Sequence, residues 1–271
     1  MTDMGAAAIA RRFSMEGRRA LVTGGSLSIG RAISLAFADA GADVAVHYSP
    51  EADAAFERPN AAAETLAEVT ARGRRGVAIA ADFALAGEGR RTVVDAIRLL
   101  GGLDVLVVCA SIQYRTPFEE ITPEQIDRQV RINFNASVEL LQAAVPPMRV
   151  QGYGRILTTG SINQLRPEPV LAVYAALKSA QHNLAINLAR QLAPFGITVN
   201  NLSPGLIATE RNRWRRADMA EWQAIERRIC PMGRAGTPEE MANAALLLCS
   251  DAGSYITGAD LYATGGGHLP G

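Results

Sequence analysis

Short apolar runs alternate with longer segments of helical period along most of the chain. Strands are predicted at residues 19–23, 43–47, 77–81, 103–109, 155–159, 197–202 and 260–263. They are near-continuous apolar stretches rather than alternating ones, which is the pattern of strands buried on both faces. Helices are predicted at 28–40, with Gly41 past its end, and at 61–71, opened by Asn60 as an N-cap. A long helical pattern covers 122–149, where Pro146-Pro147 is predicted to break or kink it. Further helices are expected at 171–192, stopped by Pro194 and Gly196, and at 238–248. Strands separated by helices mean an α/β fold: one doubly wound, mostly parallel seven-stranded sheet with helices on both faces. Such a sheet binds ligands at the carboxyl ends of its strands. No composition break or repeat divides the chain, so 17–271 is read as one domain of Rossmann type.

Composition narrows the function classes. Hydrophobic residues make up 48% and charged residues 20%, enough for a sizeable core. The formal net charge of +0 argues against nucleic-acid or polybasic membrane binding. Cys109, Cys230 and Cys249 are far apart and form no metal-ligand or disulfide spacing, so free thiols in a reducing, cytoplasmic setting are expected, and no metal site. Residues 1–16 carry a short apolar patch ahead of Arg11-Arg12, the wrong order for a secretory signal, and are read as a flexible extension. Of the 27 Lys and Arg residues only Lys178 is lysine. Where a compact, titratable cation is needed, guanidinium cannot replace ammonium.

Lys178 follows Tyr174 by four residues on a predicted helix, so both side chains share a face. A free phenol, with a pKa of about 10, is a poor base at neutral pH. A nearby ammonium favours phenolate and so tunes Tyr174 toward general acid/base work. Upstream, Thr23-Gly24-Gly25-Ser26-Leu27-Ser28-Ile29-Gly30 leaves a strand and opens a helix, the setting in which backbone amides receive a pyrophosphate. Asp82, after the third strand, could accept from an adenine amino group or simply cap a turn.

Taken in order, the loop at 23–30, Asp82, Asn133, Ser161, Tyr174 with Lys178, and Ser203-Pro204-Gly205 with Thr209 resemble the short-chain dehydrogenase/reductase family over about residues 17–267. The 3-oxoacyl-carrier-protein reductase and sugar-dehydrogenase branch is the nearest likeness. The resemblance implies a catalytic set of Asn133, Ser161, Tyr174 and Lys178. Ser161 would polarise the substrate oxygen, Lys178 would also grip the nicotinamide ribose, and Asn133 would anchor a water in a proton relay from Lys178. It implies cofactor contacts from Gly24, Ser26, Ser28, Ile29, Gly30, Tyr48, Ser49, Asp82, Phe83, Ala110, Tyr174, Lys178, Pro204, Gly205, Ile207 and Thr209. It implies a homotetramer acting on a small carbonyl or alcohol, and a substrate lid near 206–236.

Two positions depart from the family pattern. Ser28 replaces the middle glycine of the loop, and Val108-Cys109-Ala110-Ser111 stands where Asn-Asn-Ala-Gly is usual, so that support must come from elsewhere. At the end of the second strand Tyr48 replaces the acid that selects NAD, while no arginine welcomes a 2′-phosphate; the balance leans to NADP, with NAD the alternative. Arg211, Arg213, Arg215 and Arg216 in the lid either recognise an anionic substrate or form a solvated helix paired with Glu210, Asp218, Glu221 and Glu226; the solvated helix is the plainer expectation. The activity expected is 3-oxoacyl-type carbonyl reduction. The alternatives are sugar or polyol oxidation and, in another class, a cofactor-binding sensor or scaffold with little catalysis.

Overall fold

A computed structural model describes residues 5–270 of the protein. Its seven strands, β1 (Arg19–Val22), β2 (Asp43–Tyr48), β3 (Gly76–Ala80), β4 (Val105–Val108), β5 (Gly154–Thr159), β6 (Ile197–Pro204) and β7 (Asp260–Ala263), pair in parallel in the order β3-β2-β1-β4-β5-β6-β7. The helices are α1 (Ala6–Phe13), α2 (Ser28–Asp39), α3 (Pro50–Ala55), α4 (Ala61–Ala71), α5 (Glu88–Leu100), α6 (Pro123–Val130), α7 (Ala136–Gln151), α8 (Ala172–Leu192), α9 (Met219–Ile229) and α10 (Pro238–Cys249).

The apolar runs are explained by two cores, one on each face of the sheet. Ala20, Val22, Val44, Val46, Val105 and Val107 point to one face, where they meet Ile33 and Phe37 of α2 and Met241, Ala245 and Leu248 of α10. Leu21, Ala45, Leu106 and Val108 point to the other, against Val93 and Ala96 of α5, Leu140 and Ala144 of α7 and Ala185 and Ala189 of α8. Successive strand residues serve opposite cores, so neither parity can be polar. Strand order reverses between β1 and β4. The loops after β1 to β6 gather around a crevice at this end of the sheet.

Several expectations need correction. Pro146 and Pro147 do not break the helix, which runs on to Gln151. Their fixed φ suits a helix, and the carbonyls they leave without donors belong to exposed Gln142 and half-buried Ala143. The irregularity lies earlier, where a π-helical turn at Arg131–Asn135 joins α6 to α7. Asn60 precedes α4 but makes no side-chain cap. Helices α3 and α5 add to the expected elements, and α9 falls in the stretch expected as a solvated helix; α5 buries Thr92, Val93, Ala96 and Leu100 along one stripe of helical spacing. Within the stretch read as an extension, residues 6–13 form α1, and Met15 is buried with its N–H on the Ala40 carbonyl. Residues 1–4 and 271, also covered by the domain reading, lie outside the described residues.

Candidate active site

The loop from β1 to α2 is held from behind. Gly24 takes a φ of +63° and donates its N–H to Nδ1 of His47 at 3.1 Å. His47 Nε2 meets the Ala81 carbonyl at 3.2 Å, and its ring stacks on Phe83 with centroids 4.0 Å apart. Because Nδ1 accepts from Gly24, the ring hydrogen is on Nε2 and donates to Ala81. Burial pushes the His47 pKa down from 6.5 to about 4. His47 belongs to no motif in the sequence; its only signal there is its place near the end of β2.

A pH dependence follows from the neutral ring. Between pH 6.5 and 4 the unfolded chain takes up a proton that folded His47 refuses, so this contribution is whole above 6.5 and is lost as pH falls through that window. The loss is about 3 kcal/mol at about 1.4 kcal/mol per unit. Urea melts at pH 7 and 4.5 are expected to show it, and His47→Gln to flatten the difference. An equal fall in both proteins would place the acid sensitivity elsewhere.

The segment at 108–111 is held by Thr23. Its Oγ1 accepts from the N–H groups of Cys109 at 2.9 Å and Ala110 at 3.1 Å, and donates to the Val107 carbonyl at 3.2 Å. The next residue, Ile112, is clamped by Asn133: Oδ1 accepts from the Ile112 N–H and Nδ2 donates to its carbonyl, both at 2.8 Å. Both ends of the Asn133 amide are therefore committed to the loop after β4. Asn133 does not line the cavity, and a chain of protein groups links it to Lys178. The Ser137 hydroxyl donates to its carbonyl at 3.0 Å, Gln181 Nε2 donates to that hydroxyl at 2.9 Å, and Lys178 Nζ donates to Gln181 Oε1 at 3.2 Å.

Tyr174 and Lys178, both buried on α8, face the cavity with Ser161 from the end of β5. Lys178 Nζ also donates to the Thr159 carbonyl at 2.5 Å and sits 5.8 Å from the Tyr174 ring centre. Burial brings the ammonium down to about 8, within reach of physiological proton exchange. Ser161 Oγ accepts from Asn163 N–H at 3.1 Å and from Asn163 Nδ2 at 3.3 Å, leaving its own hydrogen to donate into the site. The Tyr174 pKa was expected to be lowered by Lys178. Instead burial raises it, opposed chiefly by the Arg211 guanidinium and by the Ser161 hydroxyl.

Gly24, Ser26, Ser28, Ile29, Gly30, Ser49, Asp82, Phe83, Ala110, Pro204, Gly205, Ile207 and Thr209 line this same cavity. Tyr48 does not; Ser49 does, capping α3 through Ala52. Asp82 turns an oxygen back onto the Ala84 N–H at 2.9 Å. Asp53 on α3, missed in the sequence, lines the cavity too; one of its oxygens accepts from Ser26 Oγ at 2.8 Å and the other is buried with no hydrogen-bond partner. Ser28 holds φ +51°, the region its glycine counterpart would enter freely, and its hydroxyl donates to the carboxylate of Glu210.

Glu210 and Arg211 begin a 3₁₀ segment, Glu210–Ala217, that leads to α9 and forms the outer wall. The pairing expected within this segment does not occur. Arg213 reaches Glu57, Arg215 reaches Glu168 at 3.4 Å, Arg216 donates to the Thr209 carbonyl at 2.9 Å, and Asp218 caps α9. Glu226 accepts from the Ala235 N–H at 2.9 Å. Arg211 turns inward and donates to the Ser111 carbonyl at 2.7 Å.

A doubly wound parallel sheet whose switch-point crevice holds a glycine loop at one end and a Ser, Tyr and Lys cluster at the other is the framework of an oxidoreductase that works on a bound nucleotide. A family model described as enoyl-(acyl carrier protein) reductase matches residues 24–268. The chain is 34% identical over 253 residues to an L-rhamnose 1-dehydrogenase (NAD(P)(+)) of Sphingomonas sp. (strain SKA58), covering 93% of this chain and 96% of that one. It is 34% identical over 251 residues to a glucose 1-dehydrogenase of Gluconobacter oxydans (strain 621H), covering 92% and 91%. The crystal structure of a 3-oxoacyl (acyl-carrier-protein) reductase from Agrobacterium tumefaciens C58 with NADP bound superposes with a TM-score of 0.89 at 38% identity, covering 98% of both chains. The protein belongs to the short-chain dehydrogenase/reductase family and is an oxidoreductase.

Proposed function

We propose that the protein interconverts a secondary alcohol and a carbonyl with a nicotinamide dinucleotide, Tyr174 carrying the proton. The observation that supports this best is the shared cavity, which runs from the α2 N-terminus to Tyr174, Ser161 and Lys178. The loop fits a pyrophosphate: the carboxylate of Glu210 already stands on Ser28 at the start of α2, so an anion is accommodated there. Gly24, Ser26, Ser28, Ile29 and Gly30 would hold the phosphates, Ser49 and Asp53 would meet the adenosine ribose, and Lys178 the nicotinamide ribose. The cofactor supplies or accepts the hydride. The Ser161 hydroxyl orients the substrate oxygen, Tyr174 holds the proton that oxygen gains or loses, and Arg211 offsets charge on the phenol.

NADP is the preferred cofactor in this reading. The relative with NADP bound and the absence of an acid at Tyr48 favour it, while Asp53 pulls toward NAD. Carbonyl reduction on a 3-oxoacyl-type substrate and sugar oxidation are both represented among the relatives. A tetrameric, cytoplasmic enzyme is the assembly proposed, and no helix among the described residues is long and apolar enough to cross a membrane.

Fluorescence titration with NADPH and NADH tests the cofactor assignment. NADPH is expected to bind tighter, and Glu210→Gln to tighten both by about 2–5-fold, as removal of one charge at a helix N-terminus implies. Binding of neither would refute the enzyme reading. An unchanged affinity in Glu210→Gln would move the phosphates away from Ser28.

A further inference from the structure

The cavity's substrate end carries more positive charge than its chemistry needs. Arg115, Arg211 and Arg215 all line it, with Glu168 as the carboxylate between them. Arg115 at 2.6 Å and Arg215 at 3.4 Å share the same Glu168 oxygen, and both lie over the Trp214 ring, so these two are committed to fixing the lid. Arg211 is different. No carboxylate pairs with it among the described residues; one of its amino groups rests on Ser111, within 2.7 Å of the carbonyl and 3.4 Å of the hydroxyl. Its side chain points into the same end of the cavity as Tyr174, Ser161 and Lys178.

A guanidinium facing a half-buried pocket without an anionic partner is a costly arrangement unless a ligand completes it. The planar fork of Arg suits a carboxylate, which it can bind through two parallel hydrogen bonds. We propose that Arg211 binds a carboxylate of the substrate, so that the enzyme acts on hydroxy or oxo acids whose carboxylate lies within a few carbons of the reacting carbon. Proximity sets that span: a guanidinium beside Tyr174 reaches groups close to the oxygen the phenol serves. Gln113, which also lines this end, is available for a substrate hydroxyl. The inference rests on the reading of Tyr174 and Ser161 as the reacting end of the cavity.

Calorimetric titration of the protein saturated with NADP⁺ tests it. The probes are D-gluconate, 3-hydroxybutyrate and lactate, each beside a neutral analogue (D-glucose, 2-butanol and 1,2-propanediol), with D-glucose 6-phosphate as the phosphoryl arm. At least one carboxylate is expected to bind about 10–100-fold tighter than its neutral partner, the range of one charge-assisted pair. Arg211→Met is expected to erase that preference and Arg211→Lys to restore part of it, with NADP⁺ affinity unchanged in both. Equal affinity for every acid and its neutral analogue would overturn the proposal. So would a preference that survives Arg211→Met, a loss confined to NADP⁺ binding, or selection of the phosphate ester alone. Following NADPH formation in the same solutions separates the two readings. A carboxylate preference without turnover would defeat the oxidoreductase reading and keep the anion site. Turnover of neutral alcohols with no such preference would do the reverse.

Discussion

Tyr174→Phe is expected to lower kcat by about 10³–10⁴-fold while leaving NADPH affinity within about twofold of the wild type, since general acid/base groups contribute up to about that factor. The substitution removes one hydroxyl and keeps the ring, which is 6% exposed and packed on α8. Burial holds the phenol protonated in the free protein, so its ordinary state is that of an acid ready to donate to a carbonyl oxygen. In the oxidation direction of the proposed reaction the same group would act as a phenolate. Arg211, Ser161 and the positive ring of an oxidised nicotinamide all favour that form. Oxidation is therefore expected to gain from rising pH more than reduction does. Steady-state kinetics on any turned-over substrate measures the effect. Activity above about a tenth of the wild type would mean that another group moves the proton.

Gly30→Ala is expected to weaken cofactor binding at least about 100-fold and to lower Tm by several degrees. A Cβ on residue 30 would lie 2.0 Å from the Gly24 carbonyl oxygen, 2.7 Å from its carbon and 3.1 Å from Gly25 Cα. These are backbone atoms that cannot rotate aside. Either α2 tilts away or the loop carrying Gly24 is displaced, and with it the amide that grips His47. Overpacking of this kind costs about 1–3 kcal/mol, or about 2–4 °C per kcal/mol in a domain of this size. NADPH titration and a thermal melt read the two effects together. An unstable variant with full cofactor affinity would separate the loop from phosphate binding.

Much of this architecture was legible in the chain, for identifiable reasons. Strands between two helical layers have no polar face, so their apolar runs stood out, and β7 matches the expected residues throughout. Tyr174 and Lys178 were found because helical spacing alone brings them together. What escaped depended on contacts distant in sequence. Thr23 holds the Cys109 N–H from 86 residues away, and Asn133 reaches Ile112 across 21. Nothing local told Arg211 to turn inward while Arg213, two residues on, crosses to Glu57. Asp53 sits on α3, a helix too short to show a period, and the prolines of α7 read as a break because their exposed neighbours were not yet known.

The lone lysine has a practical consequence. Every other cationic side chain is an arginine, and Lys178 is 1% exposed. Amine-directed cross-linkers therefore meet no exposed lysine side chain on the folded protein. Acylation of Lys178 requires the wall around Tyr174 to open. The rate at which a small acylating reagent marks this one residue then becomes a clock for that opening, readable by mass spectrometry in a single peptide.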